Sequence, residues 1–537
     1  MRILAIFFFL LASSCSREPQ PYDESKQQLR MSINREPHSL DPRIGGEVVS
    51  VSLHFLLFEG LTRFNPDWTI SLSVAESVEI SKDRKTYIFH LRPTKWSDGS
   101  AVTAFDFEYA WKKLLDPNFP AFNAHLFFCI KNAELAKKGL VSLDQVGIQA
   151  LHESMLKVEL LHPTPYFLDL TSFAAFFPVQ SKKDVKDPNW SKKTGANFVC
   201  NGPFCLRKWD RNLLIELERN PLYWNSDKIH LEKIQLHVIV DGTTALNMFE
   251  SNDLDFLQLS LAPLPSEPLS ELIKTGRLSS SPSAASNILA FNTEQFPFDH
   301  VKIRQAFGFA VDRDALVNTL LQKRELAAYS AIPPILKKGK TDPLLPKADA
   351  QKAKQLFAEA LEELGLELWQ FPPLTFVFSA SDQNKKIVEA IQHQWKEILG
   401  VYVSLQPLEH TTLLDRLCKR NFQIAQTIWI AQYNDPMNIL ERFKSKQNVK
   451  NYSGWENSEF SALLEKSFEE TGKDRMDTLR EAEIVFLNHM PVLPLFHLNA
   501  MFLKKSYVKD LDSPYPSDLC FARIENQPKN SRKLTNP

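Results

Sequence analysis

The second half of the chain alternates between hydrophobic patterns typical of strands and of helices. Residues 374–379 (LTFVFS) form a short apolar run, and residues 382–399 then carry apolar side chains every three or four positions before Gly400. Residues 401–405 (VYVSL) alternate as in a strand with one buried face. A strand, a helix and a second strand in this order predict a β-α-β unit with a parallel sheet and a right-handed crossover.

Other segments extend this mixed pattern along the chain. Helical spacing of apolar residues occurs at 303–311, 350–364 and 474–488, and strand-like runs occur at 213–217 and 234–240. Residues 261–286, rich in Pro and Ser, predict a loop-rich region. The sequence therefore predicts an α/β protein.

The first half contains a clear strand–turn–helix succession. Residues 86–92 (TYIFHLR) alternate as a strand, and the turn at 96–99 (WSDG) follows. Thr103 then precedes a helix with Asp106 in its first turn, and Asp116-Pro117 ends that helix. This succession predicts a capped helix packed beside a sheet.

Composition places the chain among ordinary globular proteins of several domains. It has 537 residues, 44% hydrophobic and 24% charged, and a formal net charge of −1. A single core does not reach this size, so two or three domains are expected. The balanced charge without a basic stripe argues against nucleic acid as a partner. After residue 15, no apolar run approaches the roughly 20 residues of a membrane helix.

The amino terminus has the pattern of an export signal. Arg2 precedes the apolar run at 3–12, and Ser13-Ser14-Cys15 ends it. Small residues immediately before a cysteine resemble a bacterial lipoprotein cleavage site, which implies a signal peptide (1–14), lipidation at Cys15 and a polar tether at 15–28. Ala12 departs from the leucine usual three places before that cysteine, so a secreted protein without lipid is the alternative. The polar tail at 526–537 predicts disorder.

Five cysteines remain after Cys15, an odd number. Cys200 and Cys205 flank the NGPF turn, and in an oxidising compartment they are a possible disulfide, with free or buried thiols as the alternative. Their C-x4-C spacing without nearby histidines is a poor zinc signal, and no metal is predicted.

Several motifs in a fixed order resemble one known family. They are EPHSLDP (36–42), GLTRFNPDW (60–68), KWSDGSAVTAFDFEYAW (95–111), NGPF (201–204), RNPLYW (219–224), FNTEQFPFDHVKIRQAFGFAVDRD (291–314) and WIAQYNDP (429–436). Together they resemble bacterial extracytoplasmic solute-binding proteins of the oligopeptide- and dipeptide-binding family, over about residues 31–525. Such proteins deliver ligands to ATP-driven importers.

The resemblance implies a two-lobed periplasmic-binding-protein fold with an inserted domain and a ligand cleft between the lobes. The implied lobe I comprises 29–57, 179–290 and 500–525, the inserted domain 58–178 and lobe II 291–499. It also implies that the backbones of Ile428-Trp429-Ile430 and Gly45-Gly46-Glu47 hold an extended peptide in the manner of an added strand.

Substitutions at the implied site point to a less charged cleft. The family typically has an aspartate for the peptide's ammonium group where this chain has Gln432. Gln426 and Asn384 stand where peptide binders can carry an arginine and a histidine. A buried ammonium group without a paired anion is costly, so a blocked or unusual peptide, a cell-wall fragment or another solute is expected. The alternative is that Asp435 or Glu47 supplies the charge, or that waters do.

The remaining candidate residues each have a plain structural alternative. Tyr109, Asn292 and His410 are implied to face the cleft, yet Tyr109 also fits a core position and His410 an exposed loop. Trp429 within an apolar strand fits a core position better than a ligand stack. The full implied ligand set is Gly46, Glu47, Tyr109, Asn292, Asn384, His410, Gln426, Ile428, Trp429, Ile430, Gln432, Tyr433, Asn434 and Asp435.

The sequence favours a receptor over an enzyme. It lacks G-x-S-x-G, H-E-x-x-H, G-x-G-x-x-G and Walker A motifs. We therefore expect a periplasmic, lipid-anchored monomer without a cofactor, which binds oligopeptides by closure of its lobes and presents them to a permease. A receptor for a metal chelate, haem or cell-wall peptide is the alternative, and a periplasmic chaperone a weaker one.

Overall fold

The computed structural model describes residues 27–65, 68–322, 324–337, 342–513 and 519–525. The predicted signal peptide (1–14), Cys15 with most of its tether, and the predicted tail (526–537) lie outside the described residues. Within the described ranges, no helix has both the length and the apolar character needed to cross a membrane.

The described part of the chain contains nineteen strands. They are β1 Gln28–Ile33, β2 Thr62–Phe64, β3 Ile70–Leu72, β4 Ala75–Ile80, β5 Thr86–Leu91, β6 Ile148–His152, β7 Met155–Glu159, β8 Phe204–Asp210, β9 Leu214–Arg219, β10 Lys233–Val238, β11 Phe256–Gln258, β12 Ser279–Phe291, β13 Leu326–Ala327, β14 Leu374–Ser379, β15 Val403–Leu408, β16 Ile424–Ile430, β17 Val492–Lys504, β18 Val508–Lys509 and β19 Arg523–Ile524.

Fifteen α-helices lie in the same ranges. They are α1 Val48–Leu57, α2 Ala104–Leu115, α3 Ala133–Lys137, α4 Phe167–Leu170, α5 Ser181–Lys186, α6 Gly242–Glu250, α7 Ser266–Lys274, α8 Val301–Phe309, α9 Arg313–Ala315, α10 Ala350–Leu364, α11 Asp382–Leu399, α12 His410–Cys418, α13 Met437–Leu440, α14 Ser458–Glu469 and α15 Gly472–His489. Short 3₁₀ turns occur at Ala124–Phe127, Leu143–Gln145, Ala174–Phe176, Trp190–Lys192, Gly195–Asn197, Ser226–Lys228, Pro334–Leu336, Leu368–Gln370 and Glu441–Phe443, and a π turn at Leu316–Leu320.

One large mixed sheet runs through the molecule. Eleven of the described strands form it, in the order β15-β14-β16-β12-β17-β11-β1-β10-β9-β8, with β13 paired to β17. β14 runs parallel to β15 and β16, and β1 runs parallel to β10 and β11. The α/β class predicted from the sequence is confirmed.

The two longest strands, β12 and β17, connect the two halves of this sheet. Residues 279–282 of β12 pair with 499–502 of β17, and 286–290 pair with 492–497 beyond a break in register. At one end β17 pairs with β11, and at the other β12 pairs with β16. The predicted domain boundaries at 290/291 and 499/500 fall inside these strands.

We use three names from here on. The first lobe is residues 28–57 and 204–282 with 499–524, the second lobe is residues 286–497, and the small module is residues 62–177. The small module contains the antiparallel sheet β4-β5-β7-β6, against which α2 packs.

Local sequence patterns explain the elements that were predicted well. The β-α-β unit is confirmed, because β14 and α11 have the expected bounds and β14 pairs in parallel with β15, which begins two residues late. Gly400 ends α11 in the left-handed conformation (φ 71°). The predicted capping of α2 is also confirmed, since Thr103 and Asp106 form a capping box.

The loop predicted at 261–286 is wrong. Helix α7 and the first part of β12 occupy it. Pro and Ser disfavour regular structure locally, but pairing of β12 with β17 supplies the strand's hydrogen bonds from residues more than 200 positions away. Tertiary pairing therefore overrides the local signal here.

Candidate functional site

Strand β16 has one paired edge and one open edge. Over 424–430 it pairs antiparallel with β12. On its other side, among the described strands, β14 pairs with β16 only at Ile424 and Ala425. The edge from Gln426 to Ile430 is therefore not covered by another described strand.

The alternation of backbone groups shows which atoms face this open edge. The N–H of Ala431 donates to the carbonyl of Ala284 on the β12 side at 2.8 Å. Along an antiparallel strand, successive residues turn their N–H and C=O groups to opposite edges. Ile428 and Ile430 therefore present theirs to the open edge, where the Ile430 carbonyl accepts a hydrogen bond from Arg442 Nη2 at 3.1 Å.

Side chains along this edge differ sharply in exposure. Ile428 and Ile430 are 46% and 50% exposed, whereas Trp429 between them is 2% exposed. The Trp429 ring packs against Phe443 with centroids 5.3 Å apart. Trp429 is thus a core residue, and by the same alternation its main-chain groups face β12, so the open edge is formed by Ile428 and Ile430.

Neutral amides lie together at the carboxyl end of β14 and in the first half of β16. Buried Gln426 donates from Nε2 to Asn287 Oδ1 at 3.2 Å and to Asn384 Oδ1 at 3.3 Å. Asn384 in turn donates from Nδ2 to the carbonyl of Ser379 at 2.9 Å. The Gln426 Oε1 atom is buried without a hydrogen-bond partner within the described ranges. This corner can accept a donor but carries no charge.

The segment after β16 joins the second lobe to the small module. Gln432 is half-buried, and its Oε1 accepts a hydrogen bond from Asn438 Nδ2 at 3.2 Å. Asn434 donates from Nδ2 to the carbonyl of Trp68 in the small module at 2.6 Å. Asn434 therefore holds the two parts of the protein together.

Tyr433 makes a second contact to the small module. Its buried ring stacks on Tyr166 with centroids 4.7 Å apart, and the Tyr166 hydroxyl donates to Glu441 Oε2 at 3.0 Å. Burial, with the neighbouring Glu441 carboxylate as the next cause, raises the pKa of Tyr433 well above its usual value. Tyr433 is a structural contact between lobe and module.

The carboxylate of Asp435 is fully engaged inside the protein. Arg475 contacts its two oxygens at 2.7 and 2.8 Å, and the N–H of Met437 donates to Oδ1 at 2.9 Å. Both partners of this ion pair are buried. Asp435 therefore does not act as the free anion that the sequence allowed for a ligand ammonium group.

Glu47 is likewise engaged by its own chain. Its carboxylate caps α1, accepting hydrogen bonds from the N–H groups of Val49 at 2.7 Å and Ser50 at 2.8 Å. The adjacent Gly46 lies against Phe122 of the small module, since a Cβ at Gly46 would be 2.5 Å from Phe122 Cδ1. The absence of a side chain at Gly46 allows this close approach of the Phe122 ring.

Tyr109 belongs to a buried polar network beneath the Gly45–Glu47 segment. Its hydroxyl donates to Asp184 Oδ2 at 2.7 Å, and Arg43 bridges Asp184 and Asp41. Burial, together with the bond to Asp184, raises the pKa of Tyr109 to about 12. The residue also lines a cavity of about 680 Å³ with Phe119. Its structural role is established here, and contact with ligand stays a prediction.

Two further predicted site residues have other surroundings. Asn292 is buried, and its Nδ2 donates to the carbonyls of Arg420 and Phe422 at 2.7 and 2.9 Å. Its amide is bonded to loop backbone, which is a structural role, and contact of Asn292 with ligand stays a prediction. His410 is the exposed first residue of α12, which agrees with the solvent-exposed alternative.

Cys200 and Cys205 are both buried free thiols in this structure. The Cys200 thiol donates to the carbonyl of Phe204 at 3.4 Å. The disulfide considered from the sequence is not formed, and the alternative of buried thiols describes the structure. Among the described residues, no cluster of three His, Cys, Asp or Glu side chains is suited to hold a metal ion.

A polar group that sequence reasoning missed lies between the small module and the second lobe. Lys450 Nζ lies 3.0 Å from His125 Nε2 and 5.6 Å from the centroid of the Phe122 ring. Glu441 lies in the same region beside Tyr166. The contacting residues are 275 positions apart for Tyr166 and Glu441 and 325 for His125 and Lys450, so no local motif marks them.

Charges in this group are strongly perturbed. Burial and the neighbouring Arg442 cation lower the pKa of Lys450 to about 7, with Glu441 opposing the shift. Burial also lowers the pKa of His125 well below its usual value, so the imidazole is neutral at pH 7. Burial raises the pKa of Glu441, against the hydrogen bond from Tyr166. Burial, which disfavours the charged form of each group, is the leading cause of all three pKa shifts.

The chain matches known proteins over nearly its whole length. A family model described as bacterial extracellular solute-binding proteins, family 5, middle, matches residues 69–451. The oligopeptide-binding protein OppA of Bacillus subtilis (strain 168) is 37% identical over 530 residues, covering 96% of this chain and 97% of that protein. The dipeptide-binding protein DppE of the same organism is 34% identical over 495 residues, covering 90% and 89%.

Solved structures agree with this similarity. Haemophilus influenzae OppA in complex with the peptide RPPGFSPFR superposes with a TM-score of 0.79 at 27% identity. The match covers 94% of this chain and 99% of that one. The two-lobed fold expected from the sequence is confirmed.

Proposed function

The chain belongs to family 5 of the bacterial extracellular solute-binding proteins, and from this premise we propose that it captures peptides and delivers them to an ATP-driven importer. Its relatives include an oligopeptide-binding and a dipeptide-binding protein, and a similar structure holds a nine-residue peptide. A family of binding proteins supports a receptor without catalytic activity of its own.

The open edge of β16 is the observation that carries this proposal. Ile428 and Ile430 present main-chain groups to that edge, and their side chains are half exposed. An extended peptide that pairs there gains main-chain hydrogen bonds that do not depend on its sequence. The exposed isoleucines would contact alternate residues of the peptide. Gly45–Glu47 would form the opposite wall of the site.

Closure of the cleft follows from the way β12 and β17 join the lobes. The break in register between Pro282 and Ser286 lies between the two paired ends of these strands. A small change of backbone angles there would rotate the lobes against each other. The ligand would favour the closed state by touching both walls at once, and the permease would recognise that state.

The family places the protein outside the cytoplasm. We propose in addition that a lipid attached to the amino terminus anchors it to a membrane. The apolar run at 3–12 followed by Ser13-Ser14-Cys15 supports lipidation of Cys15 after cleavage. The mature protein would then act as a monomer tethered to the membrane. We also propose that its inserted domain comprises about residues 58–178. Globomycin treatment and mass measurement of the mature amino terminus would test the anchor.

A proline substitution tests strand addition directly. Ile428→Pro removes the N–H that faces the open edge without removing a bond to β12. Isothermal titration with tetra-alanine peptides of free and blocked termini should show saturable 1:1 binding to the unchanged protein. Ile428→Pro should weaken it about tenfold or more, through the lost donor and the unpaired ligand carbonyl. Ile428→Val, which keeps the N–H, is the matched control.

Equal binding by the proline and valine variants would remove strand addition at β16 from the proposal. Absence of binding for every peptide would remove peptide capture itself.

A further inference from the structure

We propose that the Ile430 end of the cleft is an anion-binding pocket formed by Lys450, His125 and Arg442, and that the ligand presents a carboxylate to it. This inference rests on the proposed function, because it assigns a ligand group to the same cleft. The end in question is fixed by Arg442, whose Nη2 donates to the Ile430 carbonyl.

Lys450 reaches from the second lobe to the small module, and through Phe122 of that module it lies near the first lobe. It lies 3.0 Å from His125 Nε2 in the small module, and its ammonium group faces the ring of Phe122. Phe122 itself packs on Gly46 of the first lobe. Lys450 thus stands beside the segment proposed as the opposite wall for a bound peptide.

Neither cation of this pocket has a carboxylate partner. Within the described residues, no carboxylate oxygen lies within 4.0 Å of a side-chain nitrogen of Lys450 or Arg442. Arg442 donates to the carbonyls of Asn438 and Ile430 and to Asn438 Oδ1. His125 accepts from Lys450 on Nε2 when its own proton is on Nδ1, bonded to the Phe122 backbone. Lys450 retains N–H donors for a further acceptor.

The nearby carboxylates both have partners elsewhere in the protein, although only Asp435 is in an ion pair. Glu441 accepts the hydrogen bond of Tyr166 at 3.0 Å, and Asp435 is held by Arg475. Gln432 is a neutral amide whose Oε1 accepts a hydrogen bond from Asn438. A ligand ammonium group would therefore meet Arg442 and Lys450 here, and the neighbouring carboxylate, Glu441, is itself disfavoured as an anion because burial raises its pKa. Like charges in a poorly solvated site repel strongly.

A bound carboxylate would correct this imbalance. An ammonium group buried without an anion is unfavourable, which is why the pKa of Lys450 is lowered. A carboxylate between Lys450 and Arg442 would accept charge-assisted hydrogen bonds from both. It would come either from an acidic group at the ligand's amino-terminal side or from the carboxyl terminus of a peptide bound in the opposite direction.

Four tetra-alanine peptides that differ by one charge distinguish these cases. They are N-acetyl with a C-terminal amide (neutral), N-succinyl with an amide, N-acetyl with a free carboxyl terminus, and free amine with an amide. Titration calorimetry compares each with the neutral peptide on the unchanged protein. We expect the succinyl or the free-acid peptide to bind about tenfold tighter or more, as a charge-assisted hydrogen bond provides. Which one gains identifies the source of the carboxylate.

If the inference is correct, the tighter binding of the carboxylate-bearing peptide depends on the side chain of Lys450. Lys450→Met should abolish it, so that the carboxylate peptide and the neutral peptide bind this variant equally, and Lys450→Arg should retain most of it. Lys446→Met on the same loop, whose exposed side chain lies 3.9 Å from Glu294, is the matched control and should change neither.

Three results would overturn the inference. They are tighter binding of the free-amine peptide alone, equal binding of all charged and neutral peptides, and a carboxylate gain that persists in Lys450→Met. The first two are read on the unchanged protein and do not depend on folding of a variant. If none of the four peptides binds, the proposed function fails and the inference fails with it.

Discussion

The rings of Tyr166 and Tyr433 stack face to face, with centroids 4.7 Å apart and planes inclined by 9°. Tyr166 belongs to the small module and Tyr433 to the second lobe, so this pair joins two parts of the protein that lie next to the proposed ligand cleft. Both rings are buried, and the Tyr166 hydroxyl adds a hydrogen bond to Glu441. We expect this stack to stabilise the closed arrangement of the lobes.

Removing one ring should therefore favour the open state. A buried aromatic pair contributes about 0.5–1.5 kcal/mol beyond its area, so Tyr433→Ala should lower peptide affinity about threefold to tenfold. Small-angle X-ray scattering should show a larger radius of gyration in the presence of saturating tetra-alanine. Tyr402→Ala, at an exposed position, is the control. Unchanged affinity and radius in Tyr433→Ala would show that the stack does not support closure.

Breaking the Asp435–Arg475 pair should destabilise the protein strongly. Asp435→Asn leaves a buried guanidinium without its anion, which typically costs about 3–5 kcal/mol. Urea denaturation measures the free energy of unfolding. The exposed pair Lys419–Asp415 gives the control, and Asp415→Asn should cost about 1 kcal/mol or less. Similar costs for both variants would contradict the buried, engaged role of Asp435.

His54 should make the protein less stable in mild acid. Burial lowers the pKa of His54 to about 4, against about 6.5 for an unfolded histidine. Between these values the unfolded chain takes up a proton that the folded protein refuses. The free energy of unfolding should therefore decrease as the pH is lowered from about 6.5 to about 4, by on the order of 3 kcal/mol. Asp41 and Glu47 lie near the imidazole and moderate the effect.

Denaturation curves at several pH values between 7.5 and 4.5 check this. The stability advantage of the unchanged protein over His54→Gln should shrink as the pH falls. An advantage that stays constant across the range would show that His54 does not titrate in this way.

Gly46→Ala should weaken peptide binding through Phe122. The added methyl group would lie 2.5 Å from Phe122 Cδ1, and the ring is exposed enough to move aside. Displacing the ring disturbs the surface beside Lys450, so affinity should fall severalfold with little change in melting temperature. In a Phe122→Ala background the same substitution should have no further effect. An equal loss in both backgrounds would place the cause elsewhere than Phe122.

Local patterns were enough to predict elements that depend on nearby residues. The strand 374–379, the helix 382–399 and its end at Gly400 follow from spacing and capping, and the structure has them with those bounds. The pairing of β12 with β17 was not predicted, because Ser- and Pro-rich residues 279–282 become a strand only through contact with 499–502. Distant pairing leaves no periodic trace in one short segment.

In the candidate site, too, some features could be predicted from the sequence and others could not. The loss of charge at Gln432 is visible in the sequence, and the exposed main chain at Ile428 was expected from the resemblance. The contact of Lys450 with His125 requires the small module to meet the second lobe, and no sequence pattern records that meeting. The engagement of Asp435 by Arg475 is hidden for the same reason.

Mass spectrometry of small molecules released from the protein, purified without refolding from its native envelope, tests the peptide-receptor function most directly. We predict one peptide or peptide-like molecule per protein, either as a mixture of sequences or as one recurring compound. Protein that carries only a non-peptide compound, and that does not bind added peptides after the compound is removed, would contradict it.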